Sequence, residues 1–168
     1  YADDIVMLAS TVTELIQMEG STHFGGPAGF EIATQNDVPY AAKAHIIGQA
    51  FMALEMKCAR CHDAPYHNFS QRDLFSFAAM LRRRPQEVPK TSSVPVTLNS
   101  EIVTMTMKPG ESAAVEWPFE DRFTTTIPAG FLRGTDAKDS RPELAARITS
   151  PHNNRFPEVI ANRLWQRY

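Results

Sequence analysis

The sequence predicts an α+β chain: a mainly helical segment over residues 1–90, a small antiparallel β region over 91–132, and the helical start of a following domain over 133–168. Three observations carry this reading. Apolar residues recur at helical spacing in three stretches before residue 85. Short β-branched runs with partial period-two alternation fill 91–132. Beyond residue 139, a Ser-x-x-Glu quartet and a proline placed for a first turn mark two helix starts.

Asp3 and Asp4 precede Ile5, Leu8, Val12, Leu15 and Ile16, which predicts an amphipathic helix over 3–18. "GSTHFGGPAG" (20–29) breaks it with glycines and a proline. From Pro39 to Lys57 Ala, Ile, Met, Phe and Leu dominate, so a second, buried helix is expected to deliver the chain directly into Cys58, with Ile46, Phe51, Met52, Leu54 and Met56 inward. Pro65 and "HNFS" then turn the chain. Ser70 is the expected N-cap of a third helix, with Asp73 in its first turn and Leu74, Phe77, Ala78 and Leu81 on one face. Phe75 and Phe77 are expected near the motif described below. The helix ends in Arg82-Arg83-Arg84, where cations complement the dipole, and Pro85 stops it.

Within 91–132, "VPVTL", "EIVTMTM", "AAVEW" and "RFTTTI" read as short strands, with Pro109-Gly110 as a turn. Alternation in the second run puts Val103, Met105 and Met107 on one face, expected to be core, and the threonines on the other. Ser140-Arg141-Pro142-Glu143 reads as a capping box, and Pro157 opens a closing helix with Val159, Ile160, Leu164 and Trp165.

The 168 residues allow one domain with a real core, or one domain and part of another; 43% are apolar. A net charge of −2 gives no basic footprint for nucleic acid or an anionic membrane. No apolar run approaches the roughly 20 residues that cross a bilayer. The opening "YADDIVMLAS" has neither an initiator methionine nor a signal peptide, and the end falls inside a helical pattern, so the sequence reads as an internal stretch of a longer protein.

The chemistry is concentrated in "KCARCHDAP" (57–65), where Cys58, Cys61 and His62, spaced C-x-x-C-H, include both cysteines of the chain. Zinc fits poorly, because no second Cys or His pair stands at ligand spacing. A thioredoxin-like dithiol would follow a strand and open a helix, whereas this motif follows a helical pattern and precedes a turn. The specific remaining reading is covalent haem c, with thioethers from Cys58 and Cys61 and the imidazole of His62 as proximal iron ligand. A Cys58–Cys61 disulfide or free dithiol and another metal stay open on the residues alone.

Outward from the motif, "IIGQAFMALEMKCARCHDAPYHNFSQRDLFSFAAML" (46–81) resembles the cytochrome c-like domain family of large planctomycete proteins, and 128–168 is similar to the start of the planctomycete-specific domain that follows it. The resemblance implies an exported, extracytoplasmic, multidomain protein carrying haem c, with Cys58 and Cys61 as thioether donors and His62 as proximal ligand. One departure stands out: Ala64 occupies the position where the family often has a second histidine, and His67 lies three residues on.

For the sixth iron ligand, the face opposite His62 favours a later element: Met80 is the candidate distal residue, Met105 and Met107 are the alternatives, and core filling is the commoner use of all three. Arg82–Arg84 read as a solvated helix end, or as partners for haem propionates or an anionic polymer. His23 and His152 read as loop histidines. No nucleophile–base pair, phosphate loop or close carboxylate pair occurs, so no hydrolytic activity is expected. The function expected is therefore electron transfer or redox sensing with a redox partner or with other domains of the same chain, with no catalytic activity of its own; an enzyme whose active site is this haem with an open sixth position differs only in ligation. The alternative is a haem-free binding module with a Cys58–Cys61 disulfide, whose β region and flanking helices present a surface to a partner such as a polysaccharide.

Overall fold

The computed structural model describes residues 12–18, 30, 38–90 and 103–167, and within them the α+β class holds. The elements are α1 (Val12–Gln17), α2 (Pro39–Met52), a 3-10 turn at Cys58–Arg60, α3 (Gln71–Arg82), β1 (Gln86–Glu87), β2 (Ser112–Ala113), α4 (Ser140–Thr149) and α5 (Arg155–Trp165). The two strands pair antiparallel, Gln86 opposite Ala113 and Glu87 opposite Ser112.

The helix α2 starts on Pro39, whose missing N–H costs nothing in a first turn. It stops at Met52 and does not run to Lys57 as the composition suggested. Ala53 adopts the left-handed conformation (φ 51°) and reverses the chain, and the Leu54 N–H returns to the Gly48 carbonyl at 3.1 Å. Reversal lets Leu54 and Met56 fold back into the core, where they are 2% and 0% exposed. The return passes so close to α2 that a Cβ on Gly48 would lie 2.5 Å from Met56 Cε. Two arginines of α5 take carbonyls at the α2 C-terminus, Arg155 Nε to Met52 O and Arg163 Nη2 to Gln49 O, both at 2.9 Å. Their charge complements the negative end of the helix dipole.

At the centre lies α3, with every residue from Leu74 to Leu81 buried. Ser70 and Asp73 form the expected capping box: the Asp73 N–H donates to Ser70 Oγ at 3.1 Å and the Ser70 N–H to Asp73 Oδ2 at 2.9 Å. Phe77 meets Phe119 and Trp117 edge to face, at centroid distances of 5.6 and 6.0 Å, and Trp117 meets Phe119 at 5.1 Å. This is the geometry aromatic quadrupoles favour. The helix ends at Arg82, and Arg83 turns left-handed (φ 66°). The Arg82 guanidinium donates to the Pro85 carbonyl at 2.9 Å, while Arg83 and Arg84 face solvent.

Several sequence expectations are adjusted by long-range contacts. α1 accounts for residues 12–17 of the helix expected over 3–18, and 3–11 lie outside the described residues. In the β region, 91–102 also lie outside, Ser112–Ala113 is the strand present among the described residues, and its partner β1 follows α3 directly. Residues 103–107 join no ladder, so alternation does not govern them: Met107 is buried, but Met105 is 45% exposed. The expected Ser140 capping box is displaced by one residue. Asp139 is the N-cap, accepting from the Arg141 N–H at 3.0 Å, because the Ser140 hydroxyl is engaged with the Met80 carbonyl at 2.6 Å. The Arg141 side chain holds the Asp139 carboxyl below its ordinary pKa and also reaches the Gln17 carbonyl, tying α4 to α1. In α5 only Val159 is buried and Ile160 partly so; Leu164 and Trp165 are exposed. α4 packs on α1 and α3, and α5 on α2.

The close approach at Gly48 gives a direct expectation. Gly48→Val overpacks the contact with Met56 and should lower unfolding free energy by about 1–3 kcal/mol. An unchanged urea midpoint for this variant would contradict the packing of 54–56 on α2.

Candidate functional site

The reversal at Ala53 leaves residues 53–57 as a short connector, and Glu55 organises its end. Glu55 Oε1 accepts the Lys57 N–H at 3.1 Å, immediately before the motif. The chain then makes its 3-10 turn: the Cys61 and His62 N–H groups both reach the Cys58 carbonyl, at 3.1 and 3.2 Å. Ala59 packs inward at 0% exposure, which turns Cys58 and Cys61 outward. Both thiols are exposed and neither is in a disulfide. The expected pair is therefore presented from one turn.

His62 follows, half-buried, with Nδ1 2.8 Å from the Asp63 carbonyl oxygen. A carbonyl oxygen can only accept, so Nδ1 carries the proton and Nε2 keeps its lone pair. Among the described residues the ring makes no other hydrogen bond. This is the state a metal-binding imidazole needs: one nitrogen oriented by a second partner, the other available.

Asp63 is the node beneath this ring. Its Oδ1 accepts the Gln71 N–H at 2.7 Å and the Thr106 hydroxyl at 2.9 Å, its Oδ2 accepts the Thr104 hydroxyl at 3.3 Å, and its own N–H donates to the Thr104 carbonyl at 2.9 Å. One side chain thus joins the motif, the first turn of α3 and the 103–107 segment. The carboxylate also sits where the partial positive charge of the α3 N-terminus favours it. Ala64, at the position of the second family histidine, is buried and pairs with Phe69 through its N–H and the Phe69 carbonyl at 2.7 Å. His67 lies exposed in the turn between them.

Beside Asp63 opens a cleft of about 660 Å³ whose lining includes Tyr66, Asn68, Phe69, Asp73 and Arg122. The Arg122 guanidinium stands 4.8 Å from the Phe69 ring centroid and 3.3 Å from Asp73 Oδ2. Cys58, Cys61 and His62 do not line it. Arg72 pairs with Glu111 at 2.7 Å, and the Lys108 N–H together with Arg72 holds the Glu111 carboxyl below its ordinary pKa.

The methionines are distributed differently. Met80 is 1% exposed within the core of α3, Met107 is 2% exposed, and Met105 faces solvent. His152 lies in an exposed loop, and His23 lies outside the described residues. No cluster of three or more His, Cys, Asp or Glu ligands occurs among the described residues. Sequence reasoning passed over Asp63, Thr104, Thr106 and Glu55. The signal available was local: an acidic residue directly after the motif histidine, and hydroxyls alternating in "TMT".

Compared with known families, residues 20–86 match the PSCyt2 model, described as a protein of unknown function (DUF1549). The match takes in α2, the C-x-x-C-H turn and α3. No curated protein and no solved structure matches the chain. No helix among the described residues is long and apolar enough to cross a membrane.

His45 adds a pH dependence next to the motif. Its Nε2 lies 3.9 Å from Glu55 Oε1, the same oxygen that holds Lys57, and its Nδ1 is buried with no partner among the described residues. Burial holds its pKa below the ordinary 6.5, against the pull of the Glu55 carboxylate and with the push of Lys57. A histidine with a depressed folded pKa binds protons more readily unfolded, so its contribution to stability is full above 6.5 and falls as pH drops towards the folded value. Urea unfolding of His45→Gln should therefore show a smaller loss of stability on acidification from pH 6.5 than the unaltered chain. Parallel curves for the two proteins would contradict the buried, neutral state of His45.

Proposed function

We propose that this chain carries a c-type haem on Cys58 and Cys61, with His62 as proximal iron ligand, and works as an extracytoplasmic electron-transfer module of a larger protein. The observation that carries the reading is the combination of two outward-facing thiols on one 3-10 turn with a histidine whose Nδ1–H is engaged and whose Nε2 is available. The residues present fit the group on these grounds. When bound, the haem supplies reversible one-electron chemistry at iron. The chain's own part is to hold two attachment points and one ligand in fixed register. Thiols at the surface suit electron exchange with a partner protein or a neighbouring domain. The resemblance of 46–81 to cytochrome c-like domains supports the reading.

Met80 as distal ligand would have to withdraw from the core in which it is enclosed, and removing a buried methionine from a core costs about 2–5 kcal/mol. The core packing of Met80 therefore argues against its use as a ligand, were haem bound. Protein produced with a haem c maturation system should show a Soret band that survives extraction with acidified acetone, and the reduced form should bind carbon monoxide rapidly. Cys58→Ala with Cys61→Ala should abolish covalent haem. Covalent haem in that double variant, or none in the unaltered protein, would overturn the assignment, and slow or absent carbon monoxide binding would show that a side chain of the chain occupies the sixth position.

A second reading, a haem-free binding module with a Cys58–Cys61 disulfide, is favoured by the 660 Å³ cleft beside Asp63, where the exposed Tyr66 ring and the polar side chains Asn68 and Arg122 suit a hydroxylated ligand such as a polysaccharide. Thiol titration of the unfolded, haem-free protein separates the two: reactive cysteines support the first reading and a disulfide the second.

A further inference from the structure

We propose that Asp63, anchored by Thr104 and Thr106, is the positioning residue of His62, so that a segment 41–43 residues downstream fixes the orientation and tautomer of the imidazole. The clamp concerns residues of this chain alone; its consequence for iron rests on the haem reading above.

The geometry makes the side chain and the main chain of Asp63 act together. The carbonyl of Asp63 receives His62 Nδ1–H, and where that carbonyl points is set by the peptide that follows Asp63 and by the residue's own backbone angles. Those are held from both ends. The Asp63 N–H is bonded to the Thr104 carbonyl, and the Ala64 N–H, on the same peptide as the Asp63 carbonyl, is bonded to Phe69. The carboxylate is held by the Gln71 N–H and by both threonine hydroxyls. Thr106 is itself pinned, since its hydroxyl oxygen lies 3.4 Å from the Arg72 N–H in the first turn of α3.

The Thr104 hydroxyl donates to Asp63, and the Thr106 hydroxyl donates to Asp63 while accepting the Arg72 N–H. Thr104 and Thr106 are exposed, on a stretch that joins no strand, so their methyl groups add little to the core. Neutral imidazole in water favours the tautomer protonated at Nε2, the form that could not offer Nε2 to a metal. The clamp reverses that preference by holding an acceptor under Nδ1. In metal sites such outer hydrogen bonds also raise the basicity of the ligand, which stabilises the oxidised ion and lowers the potential.

The test replaces both hydroxyls without changing side-chain volume, in Thr104→Val with Thr106→Val, and restores them in Thr104→Ser with Thr106→Ser. Asp63→Ala serves as the more severe variant, and circular dichroism confirms that each protein keeps its helices. Nitrogen-15 NMR of the histidine ring, in haem-free protein at a pH where imidazole is neutral, reads the tautomer directly. The Nδ1–H form should predominate in the unaltered chain, its ratio to the Nε2–H form should fall about tenfold in the valine pair, the worth of roughly one hydrogen bond, and the serine pair should recover it. In haem-loaded protein the valine pair should have a higher midpoint potential and the serine pair an unchanged one. An unchanged tautomer ratio in the folded valine pair, or an Nε2–H form predominating in the unaltered chain, would overturn the clamp. The two readings fail separately: a tautomer shift in protein that never takes up haem keeps the clamp and removes the haem assignment, whereas covalent haem with no tautomer shift does the reverse.

Discussion

The Asp63 carboxylate is the interaction on which the arrangement of this region depends. It is half-buried, negative, and supplied with donors by α3 and by residues 103–107, so it does for three separate stretches of chain what no apolar contact can do, which is to fix direction. Charge-assisted hydrogen bonds of this kind are shorter and stronger than neutral ones, and each missing donor would leave a partly desolvated charge unsatisfied. The motif turn is consequently held from below by Ala59 in the core, from before by Glu55, and from after by Asp63. Its two thiols face outward.

This division of labour explains why the surrounding fold looks as it does. α3 must be buried on nearly every side to anchor the motif, and it is covered by α2, by the edge-to-face cluster of Phe77, Trp117 and Phe119, and by α4. α2 in turn must end early. Had it continued to Lys57, Leu54 and Met56 would have been carried along a helix axis instead of folding back at Gly48, and the motif would have emerged from a helix end with nothing beneath it. The left-handed Ala53 is the strained point that permits the reversal, and such a residue carries a cost of roughly 1–2 kcal/mol relative to a right-handed one. The burial of Leu54 and Met56, at about 1.5–3 kcal/mol each, offsets it.

What the sequence made legible was local. The C-x-x-C-H spacing, the Ser70–Asp73 cap, the apolar face of α3 and the placing of Pro157 in a first turn all depend on residues within a few positions of one another, and all are present. What it did not reveal depends on distant partners. The end of α2 is set by a reversal that the burial of Leu54 and Met56 against α2 makes worthwhile; the N-cap of α4 moves to Asp139 because Ser140 finds the Met80 carbonyl 60 residues away. Met105 escapes the alternation rule because its stretch lacks a ladder partner among the described residues, and the same loose stretch supplies the two hydroxyls that reach Asp63. The most consequential residues beside the motif were thus an aspartate and two threonines whose types are unremarkable until the fold brings them together.

The most direct measurement is a crystal structure of the chain after maturation with haem c. The account predicts thioether bonds at Cys58 and Cys61, iron on His62 Nε2, and the Asp63 carbonyl still within hydrogen-bond distance of Nδ1 with Thr104 and Thr106 on its carboxylate. A structure in which the two cysteines form a disulfide, or in which His62 turns away from Asp63, would contradict it.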